Sequence, residues 1–141
     1  MICAENMVFT AVYDAVIAYD PTADIDSTYT ETPAAFPHIS CVEVDNATYK
    51  PTSDLDRREN HARVLYQIDI YSNKLAMAKT ECQSILAIVD ETMLGLGFTR
   101  LSASQLPNVD RSLYRMTARY EAVVGETTDS QGNSIVYVYL S

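Results

Sequence analysis

The chain has 141 residues, 48% hydrophobic and 21% charged, a balance that belongs to a folded chain with a real core and not to a disordered one. Ten Lys or Arg against nineteen Asp or Glu leave a net charge of −9, which makes a grip on nucleic-acid phosphates unfavourable. No apolar run reaches the length of a membrane span, and no basic stretch followed by an apolar block opens the chain, so synthesis inside the cell without a signal peptide is expected.

The first predicted element is a helix over Glu5–Tyr19, because Val8, Val12, Ala15 or Val16, and Tyr19 recur on one face. Asp20-Pro21 closes it, since a residue before proline avoids the helical region. Ile25–Thr30 reads as a short strand from its Thr and Tyr content, and Pro33 and Pro37 bracket a loop. His38–Asp45 is a further strand, with Ile39 and Cys41 on one face and Val42 and Val44 on the other, as suits a central position. Asn46–Asn60 is the most polar stretch and reads as a long exposed connection, of the kind that is either functional or mobile.

The next strand ends at Tyr71. Val64, Tyr66, Ile68 and Ile70 share one face, and Arg63, Gln67 and Asp69 the other, which sets one face on a core and one in water. Ser72 and Asn73 are N-cap residues for the helix that follows, whose stripe is Leu75, Ala78, Cys82, Ile85, Val89 and Met93. Gly95 and Gly97 stop it. Such a helix is too costly to order alone and has to lie across a sheet that includes the preceding strand.

Phe98–Ser104 is predicted as a strand ended by Pro107, and Asn108-Val109-Asp110 as a turn. Leu113–Val124 alternates most clearly and pairs antiparallel with Phe98–Ser104. After a polar turn region at Gly125–Asn133, Ser134–Leu140 forms a last strand, apolar on both faces. It either sits inside its own sheet or pairs with a neighbouring subunit. The order predicts one α+β domain over residues 1–141: a mainly antiparallel sheet of four to six strands with two helices packed on one face, and an exposed loop at about 46–61.

Chemistry is sparse. Cys3, Cys41 and Cys82 are scattered and read as reduced, buried thiols, and His38 and His61 have no ligand partner at a recognisable spacing, so no metal is expected. No glycine-rich phosphate loop, GxSxG or HExxH occurs, and neither a cofactor nor catalysis is expected. Asp54, Asp56 and Glu59 share their loop with Arg57 and Arg58 and read as solvated ion pairs. Ten tyrosines without a tryptophan suit either a protein interface or a core of modest aromatic content.

The run FPHISCVEVDN, a polar loop, LYQIDIYSN, a helix with AMAKTECQSILAIVDETM, then LGFTR and RSLYRMTARYEAVV resembles the tail terminator (tail completion) proteins of long-tailed bacteriophages, over Phe36–Val124. The resemblance implies a structural protein, with helices packed outside a sheet, that forms a ring, commonly a hexamer. Such a ring caps the tail tube at its final length and faces the head connector. It also implies the partners: further copies of the chain, the tail tube protein and the head connector proteins, with DNA passing through unbound and no membrane. The place would be the tail or neck of the virion, assembled in the host cytoplasm. Interface candidates are Tyr49, Lys50, Asp54, Asp56, Arg57 and Arg58 on the loop, and Ile135, Tyr137 and Tyr139 on the terminal strand. A head-completion or connector protein of the neck is the nearest alternative. Outside that class stand a small-molecule-binding or enzymatic α+β domain and a tyrosine-rich adaptor module.

Overall fold

A computed structural model of the chain describes residues 1–28, 33, 35–50, 61–74, 76–106 and 113–140. Its elements are α1 (Glu5–Tyr19), β1 (Asp24–Asp26), β2 (His38–Thr48), β3 (His61–Ser72), α2 (Ala78–Leu96), β4 (Thr99–Leu106), β5 (Tyr114–Thr128) and β6 (Ser134–Leu140). The strands form one sheet in the order β1-β2-β3-β5-β4, with β6 added to β5. Every pairing is antiparallel except β1 with β2. This is an α+β fold.

Both helices lie on one face. Val8, Val12 and Val16 of α1 and Cys82, Ile85, Val89 and Met93 of α2 are wholly buried against Ile39, Cys41, Val64, Tyr66, Ile68, Ile70, Ala118 and Tyr120. Each large aliphatic side chain buried here is worth roughly 1.5–3 kcal/mol. Asp20 ends α1 in an extended conformation, its N–H reaching Val16 O at 2.8 Å. Two hydrogen bonds from Thr22 hold the Asp20 carboxyl below its ordinary pKa. Gly97 ends α2 at φ 99°, where a side chain is costly, and Phe98 N–H closes the cap on Met93 O. Gly95 lies inside the helix rather than at its stop.

Several boundaries differ from the sequence reading. β2 runs on to Thr48, because Asn46, Ala47 and Thr48 pair with Val64, Arg63 and Ala62 although they are polar or small. The exposed loop therefore begins later than residue 46, and residues 51–60 lie outside the described residues. β1 starts at Asp24, and Ser27 and Thr28 do not continue it, while Tyr29 and Thr30 of the expected strand lie outside the described residues. Val44 is the extra residue of a β-bulge between Glu43 and Asp45, which exposes it. Among the described residues β2 has a neighbour on both sides only over His38–Ser40, where β1 pairs with it. Ser72 does not cap α2, which starts at Ala78 with Met77 at its cap and no side-chain cap bond. Strand pairing with Tyr114 takes Ser72, and its hydroxyl instead donates to Glu81 in the first turn of the helix, 2.7 Å away. Cys3 is exposed, against the expectation of three buried thiols, while burial pushes the Cys41 and Cys82 thiols up to about 12.

β6 pairs with β5 of its own chain over Val123–Thr128. β3 already occupies the other edge of β5 there, so β6 lies on the same edge as β4, end to end with it. Beyond Gly125, β5 leaves β3 behind and continues with β6 as a two-stranded ribbon closed by a turn. In that turn Asp129 Oδ1 accepts the Gln131 and Asn133 N–H groups, and Gly132 takes φ 85°.

One polar clamp ties α2 to the sheet. The buried Tyr120 hydroxyl donates to Asp90 Oδ1 at 2.8 Å, and Arg100 Nη1 reaches the same oxygen at 2.9 Å. Asp90→Ala leaves the Tyr120 hydroxyl without its acceptor and should cost about 1–3 kcal/mol, read as a lower urea midpoint; an unchanged midpoint would show that the clamp is incidental.

Candidate functional site

Strand alternation puts the odd-numbered residues of β3 and β5 on the face that carries no helix. At one end of that face lie two polar networks, buried except for the half-exposed Asp24 carboxylate. His38 Nδ1 lies 2.9 Å from Asp24 Oδ2, and Ser40 Oγ 3.3 Å from His38 Nε2. With Nδ1–H donating to Asp24, Nε2 accepts from the hydroxyl, the order of groups in a serine-histidine-aspartate relay. Ser40 has no exposed surface and His38 only 2%, so no substrate carbonyl reaches the oxygen in this fold. The chain of bonds fastens the three-residue β1 to β2.

Beside it, Asp69 accepts from Arg115 Nη2 at 3.2 Å and from Gln67 Nε2 at 3.1 Å, and the Arg115 guanidinium lies over the Tyr71 ring at 5.2 Å. Asp69 reads from the sequence as water-facing, yet it is 1% exposed. Its partner is 46 residues away and arrives only through the β3–β5 register, in which Tyr71 opposes Arg115 and Asp69 opposes Thr117. A buried pair of this kind specifies register more than it adds net stability, because desolvation offsets much of the attraction.

The other end of the same face is open and aromatic. His61 stacks on Tyr139 at 3.9 Å between centroids and meets Tyr137 edge-on at 6.3 Å. Gly125 stands between His61 on β3 and Tyr137 on β6. A Cβ there would meet Tyr137 Cζ at 2.5 Å and His61 Cδ2 at 2.9 Å, so the two rings close over a position that only glycine leaves vacant. Next to them a groove of about 380 Å³ is lined by Tyr49, Arg63, Thr99, Leu101, Glu121 and Leu140, at the seam where β4 and β6 meet. Arg63 pairs with Glu121 at 3.1 Å and lies over the Tyr49 ring at 5.8 Å.

Of the expected interface residues, Tyr49 lines this groove, Lys50 lies beside it, and Tyr137 and Tyr139 join the aromatic group. Ile135 is exposed further along the ribbon. Asp54, Asp56, Arg57 and Arg58 lie outside the described residues. The tyrosines divide by place: Tyr66, Tyr71 and Tyr120 are wholly buried, whereas Tyr13, Tyr19, Tyr137 and Tyr139 are exposed.

Charge also divides by place. Residues 1–49 hold eight Asp or Glu and no Lys or Arg, whereas residues 50–141 hold eleven against ten. Nearly all of the net −9 therefore sits in the segment that forms α1, β1 and β2, one flank of the sheet. Within it, burial raises the Glu43 carboxyl above its ordinary pKa. A hydrogen bond from Asn46 acts against this, and the nearby Glu5 and Asp45 carboxylates act with it. Among the described residues no three His, Cys, Asp or Glu side chains are placed to hold a metal ion, and no helix is long and apolar enough to cross a membrane. No protein-family model matches the chain, and no curated protein matches it.

Two outcomes follow from this geometry. Gly125→Val should drive the Tyr137 ring off its seat and cost about 1–3 kcal/mol in denaturant unfolding; no loss would mean the rings do not depend on that vacancy. A carboxyl whose folded pKa is raised gives stability that is fully present below its unfolded pKa and lost as pH rises through the folded one. Glu43→Gln should thus raise the unfolding midpoint at about pH 7 and leave it unchanged at about pH 3, where both states are protonated; equal effects at the two would contradict the assignment.

Proposed function

We propose that this chain is a structural assembly protein of a phage virion, whose copies close into a ring that caps the tail tube and joins it to the head connector. The observation that carries the reading is the projecting β5–β6 ribbon. It leaves Ile135, Tyr137, Tyr139 and Leu140 each at least 40% exposed beside the Tyr49–Arg63 groove. Aromatic side chains held on rigid strands supply large contact area at little entropic cost, and interfaces are enriched in them. The order of segments over Phe36–Val124 supports the same reading, since two strands, a helix and two further strands is the succession that the tail terminator resemblance implies.

The acidity fits a ring through which DNA passes, because a phosphate backbone finds little to neutralise it there. The proposed partners are further copies of this chain, the tail tube protein and the head connector proteins. The proposed place is the tail or neck of the virion.

Negative-stain electron microscopy of the purified protein, with cosedimentation on tail tubes assembled from tube protein alone, tests this. Rings with a central opening, or a cap at the end of the tubes, are expected. Single protomers at every concentration, together with no tube binding, would overturn the reading.

A further inference from the structure

Resting on the ring reading, we infer that copies of this chain join head to tail, with the cation-free β1–β2 flank of one protomer set against the acid-free β4 edge and Arg119 of the next. The two surfaces lie at opposite edges of the sheet, since its order runs from β1 to β4. β1 covers β2 only at His38, Ile39 and Ser40. From Cys41 to Thr48 no other described strand pairs with that edge of β2, and Glu43 and Asp45 lie along it.

At the far edge β4 reads TRLSASQL, without an acid, and is exposed from Thr99 to Gln105. Its one cation, Arg100, is bound to Asp90. Arg119, on β5 opposite Gln67 and Ser102, is exposed and has no ion pair or side-chain hydrogen bond among the described residues. It therefore offers a charge beside the outer surface of β4 that no described residue of its own chain satisfies.

Charge then selects the arrangement. A two-fold contact through the β1–β2 flank would set Asp24, Asp26 and Asp45 against their own copies, with no Lys or Arg in residues 1–49 to offset them. A two-fold contact through β4 would bring Arg119 towards Arg119. Only the heterologous contact matches acid with base, and heterologous contacts repeat until they close a ring or extend as a filament. If the sheet continues across the contact, β4 of one protomer runs antiparallel to β2 of the next, as the alternating strand directions require. The bulges at Glu43/Asp45 and Arg100/Ser102 interrupt regular backbone pairing along both edges, so side-chain charge dominates the affinity.

The test uses two full-length variants, Asp45→Lys and Arg119→Glu, each checked for an unchanged unfolding midpoint, with masses read by light scattering at low salt. Among the described residues the Asp45 carboxylate accepts one hydrogen bond, from the N–H of Asn46, and both side chains are exposed, so neither change disturbs the core. Each variant alone should lose self-association by about tenfold or more relative to the wild type. Mixed in equal amounts, they should regain assemblies larger than the 15.7 kDa protomer in which the two variants alternate, because Asp45 then meets Arg119 at one contact and the introduced lysine meets the introduced glutamate at the next. If the wild type forms rings and each variant does too, or if the variants stay monomeric when mixed, the inference fails while the ring reading stands. A wild type that never associates would overturn both.

Discussion

The contact on which the rest depends is the seat of α2 across β3 and β5. Ile85, Val89 and Met93 are wholly buried, and the strands beneath them present Ile68, Ile70, Ala118 and Tyr120 on that same side, with α1 packed alongside. Once the helix is seated, its C-cap fixes the next element. Gly97 carries no side chain, and a Cβ there would stand 3.0 Å from Val138 Cγ1, so β6 packs directly on the end of the helix. Val136 and Val138 of β6 are drawn inward by this contact, and the tyrosines at 137 and 139 are left facing outward.

With both helices on one side, the other face must be stabilised by its own side chains, and it does so unequally. At the β1 end the Asp69–Arg115 and Asp24–His38–Ser40 networks, buried except for the Asp24 carboxylate, fix strand order and register. At the β6 end the rings of His61, Tyr137 and Tyr139 cover one another only in part and leave half-exposed aromatic surface. The first end keeps His38, Ser40 and Asp69 out of reach of solvent. The second is where we propose that a partner gains area. The flank-to-flank division of charge supplies direction, which an aromatic patch alone does not.

Much of this was legible in the sequence, and the misreadings share causes. The α2 stripe and the alternation of β5 stand out because each buries one face, and burial imposes the period. The end of β2 was missed because Asn46, Ala47 and Thr48 carry no apolar signal, and backbone pairing with β3 holds them. Ser72 looked like a cap because its hydroxyl suits one, yet a residue cannot leave the β3–β5 ladder to serve there. Asp69 was placed in water because alternation separates two faces without saying which of them is covered. The His38 and Arg115 networks join residues 14 and 46 apart, and only strand register brings those together. The absence of cations before Lys50 was countable from the start, but it acquires meaning only when α1, β1 and β2 prove to form one edge.

The covered face holds the fold, and we propose that the two opposite edges of the sheet, with the aromatic ribbon, meet further copies of the same chain. Hydrogen exchange measured on dilute and on concentrated protein tests it most directly. The account predicts that amide protection rises on concentration in β4 and along the free half of β2, while α2 exchanges alike in both. Protection that rises only over the helices, with β4 and β2 unchanged, would contradict it.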